Sequence, residues 1–329
     1  MFIVQKEEPI ALTEYLRNKG WMHDDEDIVL LEKPGEGNMN YVLRVGTGSR
    51  TFIIKQSRPY VVKYPQVAAP LHRIQIEAAF YQKINSVDTL RNRMPQCIGF
   101  DESNHILMLE DLGTSTDFTF LYKPDTHLSI NEQSDLLSYL SALHQSFVRI
   151  GGDPEFVNAD MKRLNHEHIF IYPFLAENGF NLDAITPGLQ QYAMKFKSDS
   201  GLKKRINDVG AIYLAVGDHL LHGDFYPGSW LQTNERVRVI DPEFSFYGPR
   251  EFDLGVWKAH LILSLHEVAS IDRLSSLYDS FSVIDINVLN KFAGIEIMRR
   301  LIGLAQLPLF MEFSKKMELL DRAYQMIKE

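Results

Sequence analysis

The chain has 329 residues, of which 45% are hydrophobic and 23% charged, and its formal net charge at pH 7 is -9. A chain of this length predicts two lobes or two domains, and its acidic balance, with scattered Lys and Arg residues, excludes the basic footprint of a nucleic-acid-binding protein. The single cysteine, Cys97, excludes an intramolecular disulfide and a zinc site built from several thiolates.

The N-terminal segment meets its first charge at Lys6, too early for the apolar stretch of a secretory signal. No apolar run approaches the ~20 residues that a membrane span requires. We therefore expect a cytoplasmic protein with no membrane partner and no nucleic-acid partner. The sequence leaves the oligomeric state open, a homodimer included.

Strand patterns dominate the first part of the chain, after a weakly helical segment at 10–20. Apolar runs within 27–56 are separated by a polar loop and by a Gly-rich turn at 46–49. These runs predict a three-stranded meander whose last strand leads to Lys55. The loop between the first two strands contains four small or polar residues: Gly35, Gly37, Asn38 and Asn40.

A helix and a further strand follow the meander. In residues 71–84, apolar side chains recur at helical spacing, and Glu77 lies on this predicted helix. The strand-like run at 106–111 ends in a polar turn, where Glu110 and Leu112 are located. The N-terminal part is therefore predicted to be small and rich in β-strands.

The remainder of the chain is predominantly helical from about residue 130 onward. The exception is the region 220–243, in which Asp224, Asp241 and Glu243 lie next to predicted turns. Asp224 lies in a Gly-rich turn, and a short hairpin leads from it to Asp241 and Glu243. Because a hairpin returns the chain to its starting point, these three carboxylates are expected to converge.

Each of these residues, taken alone, has an ordinary structural explanation as a turn residue, a solvated side chain or a cap. Their order is more informative. A Gly-bearing hairpin, a strand-end Lys, a helix Glu, an Asp in a turn and a carboxylate pair are the parts of a kinase-like phosphotransferase. This order predicts ATP as cosubstrate and a small molecule with a hydroxyl group as acceptor.

The chemistry of phosphoryl transfer explains the residue types in the C-terminal part. Mg²⁺ prefers carboxylate oxygens, and Asp241 and Glu243, two positions apart on an extended segment, point the same way. Ser229 is expected to contribute a hydroxyl to the metal shell. Asp224 is expected to orient the acceptor hydroxyl and to take its proton.

The nucleotide site is predicted in the N-terminal part. Lys55 is expected to pair with the α- and β-phosphates and to be held by Glu77, in an ion pair that positions a charge. The loop is expected to contact the phosphates through Gly35, Gly37, Asn38 and Asn40.

Several motifs resemble known kinases. The segment "HGDFYPGS" (222–229) resembles the catalytic loop of the aminoglycoside phosphotransferase and choline kinase superfamily, with Ser229 where Asn is usual. More narrowly, "IDPEFSFYGPREFDLG" (240–255) looks like the 5-methylthioribose kinase family, in which Asp-x-Glu replaces Asp-Phe-Gly. Three further segments are similar to that family: "GNMNYVLRV" (37–45), "IIKQSRPYVV" (53–62) and "MRRLIGLAQ" (298–306).

The resemblance implies a bilobal protein-kinase-like fold of the α+β class. Its small β-rich N-lobe, 1–113, would bind nucleotide, and its larger helical C-lobe, 114–329, would carry the catalytic and acceptor-binding residues. Further site residues follow from the same resemblance. Backbone groups from Glu110 to Leu112 would bind adenine, and Arg299 and Arg300 would bind the acceptor or the transferred phosphate. The ordinary structural explanation is two adjacent helix arginines about 100° apart, of which at most one would face inward without a local distortion.

The implied acceptor is O1 of 5-methylthioribose or a related sugar. The segment 60–73 departs from the family pattern, since it lacks a tryptophan and has Val62 where an arginine is expected. Another acceptor, such as an aminoglycoside, choline or a different sugar, therefore stays open. A nucleotide-binding module without turnover is the alternative from a different functional class.

Overall fold

The structure is a computed structural model that describes residues 1–35, 39–265, 278 and 283–329. The chain forms two units. The first contains Met1–Thr116 and Thr233–Phe244, and the second contains Asp117–Gln232 and Ser245–Glu329. The first is rich in strands and the second is mainly helical, which confirms the predicted α+β class. The functional division at residue 113 stays a prediction.

Five antiparallel strands form the sheet of the first unit, in the order β1-β2-β3-β7-β6. The strands of this unit are β1 (Ile28–Glu32), β2 (Tyr41–Thr47), β3 (Thr51–Gln56), β4 (Tyr60–Val61), β5 (Tyr64–Ala68), β6 (Cys97–Asp101), β7 (Ile106–Glu110) and, later in the chain, Val237–Val239. Its helices are Pro9–Asn18, Arg73–Ile84 and Asp88–Arg91. The predicted meander corresponds to β1, β2 and β3, and the predicted helix at 71–84 is present.

The alternation of side chains along β3 places Lys55 away from the main apolar core of the first unit. Ile54 is fully buried in a cluster that includes the apolar side chains of the helix Pro9–Asn18. Because successive side chains point to opposite faces of a sheet, Lys55 projects from the other face. There it meets the helix Arg73–Ile84, which carries Glu77.

Helices build most of the second unit. They are Ile130–Ser146, Ala159–His166, Leu189–Lys197, Ser200–Leu214, Glu251–Leu263, Ile286–Ile302 and Phe313–Lys328. The short strands His219–Leu221 and Phe246–Gly248 pair with each other in antiparallel orientation. Two further short strands are Thr116–Asp117, where the chain leaves the first unit, and Trp230–Gln232.

A glycine allows two of these helices to pack closely. A Cβ atom at Gly255 would lie 2.7 Å from the Cβ of Phe292 and 3.0 Å from the carbonyl oxygen of Leu289. The helices Glu251–Leu263 and Ile286–Ile302 therefore approach each other at a distance that only glycine permits. Residues on both helices take part in the site of the second unit.

Within the described ranges, no helix is long and apolar enough to cross a membrane.

Candidate functional site

Lys55 is the centre of an ion cluster in the first unit. Its ammonium nitrogen lies 2.8 Å from both carboxylate oxygens of Glu77 and 2.7 Å from Oδ1 of Asp241. The side chains of Lys55 and Glu77 are buried, whereas that of Asp241 is 44% exposed. The Lys55–Glu77 pair is thus formed, and Asp241 presents the open side of the cluster.

The cluster contains more negative than positive groups. Burial lowers the pKa of Lys55, but the carboxylates of Asp241, Glu77 and Glu243 outweigh burial and raise that pKa far above its ordinary value. Burial raises the pKa of Glu77 to about 7, although the Lys55 charge opposes this rise. When all groups are ionised, three carboxylates (Glu77, Asp241 and Glu243) face two cations (Lys55 and Arg73). A further cation would relieve this excess of negative charge.

Glu243 belongs to the same cluster and is bonded to Asn40 and Arg73. Nδ2 of Asn40 donates a hydrogen bond of 2.8 Å to Oε2 of Glu243, and Nε of Arg73 lies 3.2 Å from the same oxygen. Arg73 Nε also donates to Oδ1 of Asn40, at 2.9 Å. Asn40, Arg73 and Glu243 are all buried.

Sequence reasoning missed Arg73. The available signal was its position four residues before Glu77, because residues at this spacing share one face of a helix.

Asp241 adopts an unusual backbone conformation. Its φ angle is +63°, in the left-handed region that residues other than Gly, Asn and Asp seldom adopt. The residue directly precedes a short 3₁₀ helix, Pro242–Phe244, that contains Glu243. The two carboxylates therefore do not lie on one extended strand, as the sequence argument assumed, and they meet different partners.

Part of the predicted phosphate loop is accessible. Gly35 is exposed, and no described atom lies within 4 Å of the position that its Cβ would occupy. Gly37 and Asn38 lie outside the described residues. The phosphate-binding role of this loop stays a prediction.

The segment after β7 is anchored by an ion pair that sequence reasoning missed. Nε of Arg44 lies 2.9 Å from Oδ2 of Asp111, and Nη2 donates to Oδ1 of the same carboxylate at 3.0 Å. Glu110 is tied to the neighbouring strand, since its backbone N–H donates to the carbonyl of Gln96 at 2.9 Å. Leu112, next to Asp111, makes no hydrogen bond with any described residue through its backbone N–H. This N–H is therefore available to a ligand.

In the second unit, Asp224 lies in a turn that Asp253 holds. The turn begins at Gly223, whose φ angle of +85° favours glycine. The two carboxylate oxygens of Asp253 accept hydrogen bonds from the backbone N–H groups of His222, at 2.7 Å, and Gly223, at 3.0 Å. Asp253 is fully buried and lies 3.1 Å from Nε2 of His144.

Ser229 closes the same turn. Its hydroxyl donates to the backbone carbonyl of Asp224 at 2.9 Å, and its backbone N–H donates to the carbonyl of Tyr226 at 2.8 Å. Only 2% of Ser229 is exposed. This arrangement supports a role in shaping the turn, and its predicted contribution to a metal shell remains untested.

Both predicted arginines, Arg299 and Arg300, face the interior, although adjacent helix positions lie about 100° apart. Both are buried, at 8% and 5% exposure, because Glu296 lies between them. Nη1 of Arg299 donates to Oε2 of Glu296 at 2.9 Å, and Nε of Arg300 donates to Oε1 at 2.6 Å. Residues at i+3 and i+4 both reach the side chain at i, so one carboxylate draws two adjacent arginines to the same side.

Glu296 is held in turn by His260 and Tyr122. Burial lowers the pKa of His260 to about 4, so the imidazole is neutral at pH 7. Burial opposes ionisation of Glu296, but the charges of Arg299 and Arg300 lower its pKa well below the ordinary value, so this carboxylate can only accept hydrogen bonds.

These charge states determine which group donates each hydrogen bond from Tyr122 through His260 to Glu296. Nε2 of His260, 3.1 Å from Glu296, must be its donor, and the Tyr122 hydroxyl must donate to Nδ1, 2.6 Å away. No local sequence pattern indicates this network, because Tyr122, His260 and Glu296 belong to distant segments.

Arg300 connects this network to the turn. Its Nη2 lies 3.9 Å from Oδ1 of Asp224, and its guanidinium carbon lies 4.8 Å from the ring centre of Tyr226. The side chain of Asp224 is 25% exposed. A partly exposed carboxylate next to a buried arginine can accept a proton while the arginine attracts an anionic group.

The residues of the first unit fit a divalent cation to different degrees. Asp241 offers an accessible carboxylate in a cluster with excess negative charge, which suits Mg²⁺. Glu243 is buried and already bonded to Asn40 and Arg73, so it fits less well as a direct ligand. In the described part of the chain, no group of three or more His, Cys, Asp or Glu side chains is assembled around one point. The nucleotide phosphates would have to complete the shell.

No protein-family model matches the chain. Curated relatives do match. The chain is 29% identical over 255 residues to a methylthioribose kinase of Exiguobacterium sibiricum, covering 75% of this chain and 64% of the relative. It is 28% identical over 265 residues to a methylthioribose kinase of Bacillus cereus, covering 78% and 65%. The chain is thus similar in sequence to methylthioribose kinases. The resemblance inferred from its motifs is thereby confirmed, and the matched part spans slightly less than two thirds of these relatives.

Solved structures with the same fold include a choline kinase and a spectinomycin phosphotransferase. The choline kinase LicA of Streptococcus pneumoniae superposes with a TM-score of 0.55 at 14% identity, covering 98% of this chain and 99% of that chain. Spectinomycin phosphotransferase APH(9)-Ia, determined with ADP and spectinomycin, gives a TM-score of 0.55 at 13% identity, covering 99% and 98%. At such identities the likeness concerns the fold, which is protein-kinase-like.

Proposed function

We propose that this protein is an ATP-dependent kinase that phosphorylates a hydroxyl group of a small neutral sugar, O1 of 5-methylthioribose or of a related pentose. The proposal is supported most directly by the Lys55 cluster, in which one buried ammonium contacts a helix carboxylate and a half-exposed carboxylate. Lys, helix Glu and metal-binding Asp in this combination are the nucleotide-handling parts of kinases. The methylthioribose kinase relatives support the choice of acceptor.

In the first unit, Lys55 would hold the α- and β-phosphates, and Glu77 would keep the ammonium in place. Asp241 would hold Mg²⁺, which when bound would neutralise phosphate charge. Glu243 would fix the position of the segment that carries Asp241. Gly35 and the open backbone N–H of Leu112 offer contacts for the phosphates and for adenine.

In the second unit, Asp224 would orient the acceptor hydroxyl and accept its proton. Asp253 sets the backbone of this turn through two hydrogen bonds. Arg300, near Asp224, would stabilise negative charge on the phosphoryl group during transfer. Arg299 would support Arg300 through their common carboxylate, Glu296.

The described charges near Asp224 balance. Arg299 and Arg300 together carry two positive charges, and the carboxylates of Glu296 and Asp224 carry two negative ones. An ammonium acceptor such as choline or an aminoglycoside would need additional acidic or aromatic walls, whereas a pentose would not.

A coupled assay of ADP release tests the proposal. The full chain with Mg²⁺ and ATP is supplied with 5-methylthioribose, ribose, choline or kanamycin, and the Asp224→Asn variant is the matched control. We expect ADP release that depends on a pentose and on Asp224. Stimulation by choline or kanamycin alone would identify a different acceptor class. ATP binding without turnover on any acceptor would favour the non-catalytic module.

A further inference from the structure

Arg58 lies in a cavity of the first unit that the proposed kinase reaction does not use. The cavity has a volume of about 470 Å³. Arg58 contributes to its lining, together with Tyr41, Tyr60, Ile3 and Val62. Although the cavity is open, only 7% of Arg58 is exposed.

The guanidinium makes few polar contacts. Nη2 donates to the backbone carbonyl of Val4 at 2.6 Å, and the guanidinium carbon lies 5.3 Å from the ring centre of Tyr41. An arginine has five N–H donors, so most of its hydrogen-bonding capacity is unused. Among the described residues, no carboxylate lies within salt-bridge distance of it.

Other buried arginines of this protein have a carboxylate partner. Arg73 lies 3.2 Å from Glu243, and Arg300 lies 2.6 Å from Glu296. A buried charge without a counter-charge is unfavourable, and a counter-anion would offset that cost. Consistently, burial lowers the pKa of Arg58, although it stays charged.

We propose that this cavity binds a small organic monocarboxylate with an apolar body, and that the carboxylate pairs with the guanidinium of Arg58. A planar carboxylate matches the fork of N–H donors better than other anions of similar size. Tyr41 and Tyr60 offer ring surfaces, and Ile3 and Val62 offer apolar contacts, for the rest of the molecule.

The single acidic residue lining the cavity in the described structure limits the charge of the ligand. Glu7 is exposed at its edge. Its carboxylate would repel a second negative charge, so a dianion such as phosphate is disfavoured. The ligand is therefore expected to carry one negative charge at one end.

Binding of benzoate to the full chain, measured by isothermal titration calorimetry, tests the site. Benzamide, which has nearly the same shape without the charge, and inorganic phosphate are the comparison probes. We expect wild-type protein to bind benzoate and to bind benzamide and phosphate much more weakly. Equal binding of benzoate and benzamide, Arg58-dependent binding of phosphate alone, or no binding at millimolar benzoate would each overturn the proposal.

Substitutions of Arg58 test whether benzoate binds at this residue. Arg58→Gln should raise the Kd for benzoate by about 10–100-fold, the ratio expected for hydrogen bonds to a charged group. Arg58→Lys should bind with intermediate affinity, which preserves the test should Arg58→Gln unfold. Lys162→Gln is the matched control, since Lys162 is 8% exposed and lines a different cavity, in the second unit.

An unchanged Kd in both Arg58 variants would contradict the assignment. The measurement involves no phosphoryl transfer, so its outcome is independent of the proposed kinase activity.

Discussion

Glu296 determines how the side chains of the adjacent residues Arg299 and Arg300 are oriented. Without it, two neighbouring helix residues would point in directions about 100° apart. With it, both guanidinium groups are drawn inward, and Arg300 lies 3.9 Å from the carboxylate of Asp224. The residue is thus a positioning group for the proposed chemistry, although it contacts neither Asp224 nor any predicted substrate group.

Glu296→Gln should lower kcat/KM for the acceptor by about 10–100-fold, because the amide holds Arg300 through a neutral contact and no longer orients both guanidinium groups. The KM for ATP should stay near the wild-type value. Steady-state kinetics with both substrates varied would measure this. Glu318→Gln, a change at an exposed carboxylate, is the control. An equal rise in the KM for ATP would mean that the variant is damaged more generally.

Asp224→Asn should lower kcat by about 10²–10⁴-fold, because the amide cannot take the acceptor proton. ATP binding, measured by calorimetry in the absence of acceptor, should be nearly unchanged. Asp208→Asn, at an exposed position of the same unit, serves as the control. A variant with near wild-type kcat would remove Asp224 from the mechanism.

Asp241 and Glu243 should respond differently to loss of charge. Asp241→Asn should raise the Mg²⁺ concentration needed for half-maximal nucleotide binding, since its carboxylate is accessible. Glu243→Gln should mainly lower stability, by about 3–5 kcal/mol, because it removes the carboxylate that lies 3.2 Å from the buried Arg73. Mg²⁺ titrations and urea unfolding of both variants separate these effects. The assignment fails if Asp241→Asn leaves the Mg²⁺ requirement unchanged.

At the scale of secondary structure, two helices bring the site residues of the second unit into position. The helix Glu251–Leu263 carries Asp253, and the helix Ile286–Ile302 carries Glu296 and both arginines. Their close contact at Gly255 fixes the spacing between these groups. The second helix begins at Asp285, whose side chain accepts hydrogen bonds from the backbone N–H groups of its first turn.

Gly255→Ala should destabilise the protein by about 1–3 kcal/mol, the usual cost of forcing extra volume into a packed interior. The added methyl group would lie 2.7 Å from the Cβ of Phe292, which neither helix can accommodate without moving. Chemical denaturation would measure the loss. Gly48→Ala is the matched control, because no described atom lies within 4 Å of the added methyl there. Equal stability of the two variants would contradict the close helix contact.

At the scale of the whole molecule, buried histidines link folding to pH. Burial lowers the pKa of His260 to about 4, and burial also lowers the pKa of His166, His168 and His219. The unfolded chain therefore binds protons below about pH 6.5 that the folded chain does not bind. Stability from these groups is present above pH 6.5 and decreases as the pH falls. Glu77, with a raised pKa, acts in the opposite direction.

Comparing the pH dependence of stability in the wild type and in His260→Gln isolates the contribution of this histidine. As the pH falls from 6.5 to 4, the free energy of unfolding should decrease less steeply in the variant than in the wild type. The difference in slope should correspond to about one proton fewer taken up on unfolding. Urea unfolding across this range would measure the slope. His23→Gln, at an exposed position, should leave it unchanged. A wild-type slope in His260→Gln would show that this histidine is not kept neutral by the fold.

Sequence patterns predicted the elements of the first unit and the residues that lie near turns, because both depend on local spacing. Lys55 at the end of a strand and Glu77 on the next helix could be paired from the order of motifs. Arg44 and Asp111, or Tyr122 and His260, could not, since their contacts join segments far apart in sequence. The inward orientation of both arginines depends on Glu296, which lies three residues before Arg299 and four before Arg300. This spacing can be read from the sequence and would have indicated the contact.

The left-handed backbone at Asp241 decides which substitution of this residue removes its charge alone. Alanine at this position would remove the carboxylate and also force a Cβ-bearing residue without a polar side chain into a conformation that it rarely adopts. Asparagine tolerates the same φ and has nearly the same shape. An Asp241→Asn chain is therefore the better probe of what the carboxylate charge does, because its loop conformation should survive the loss of charge.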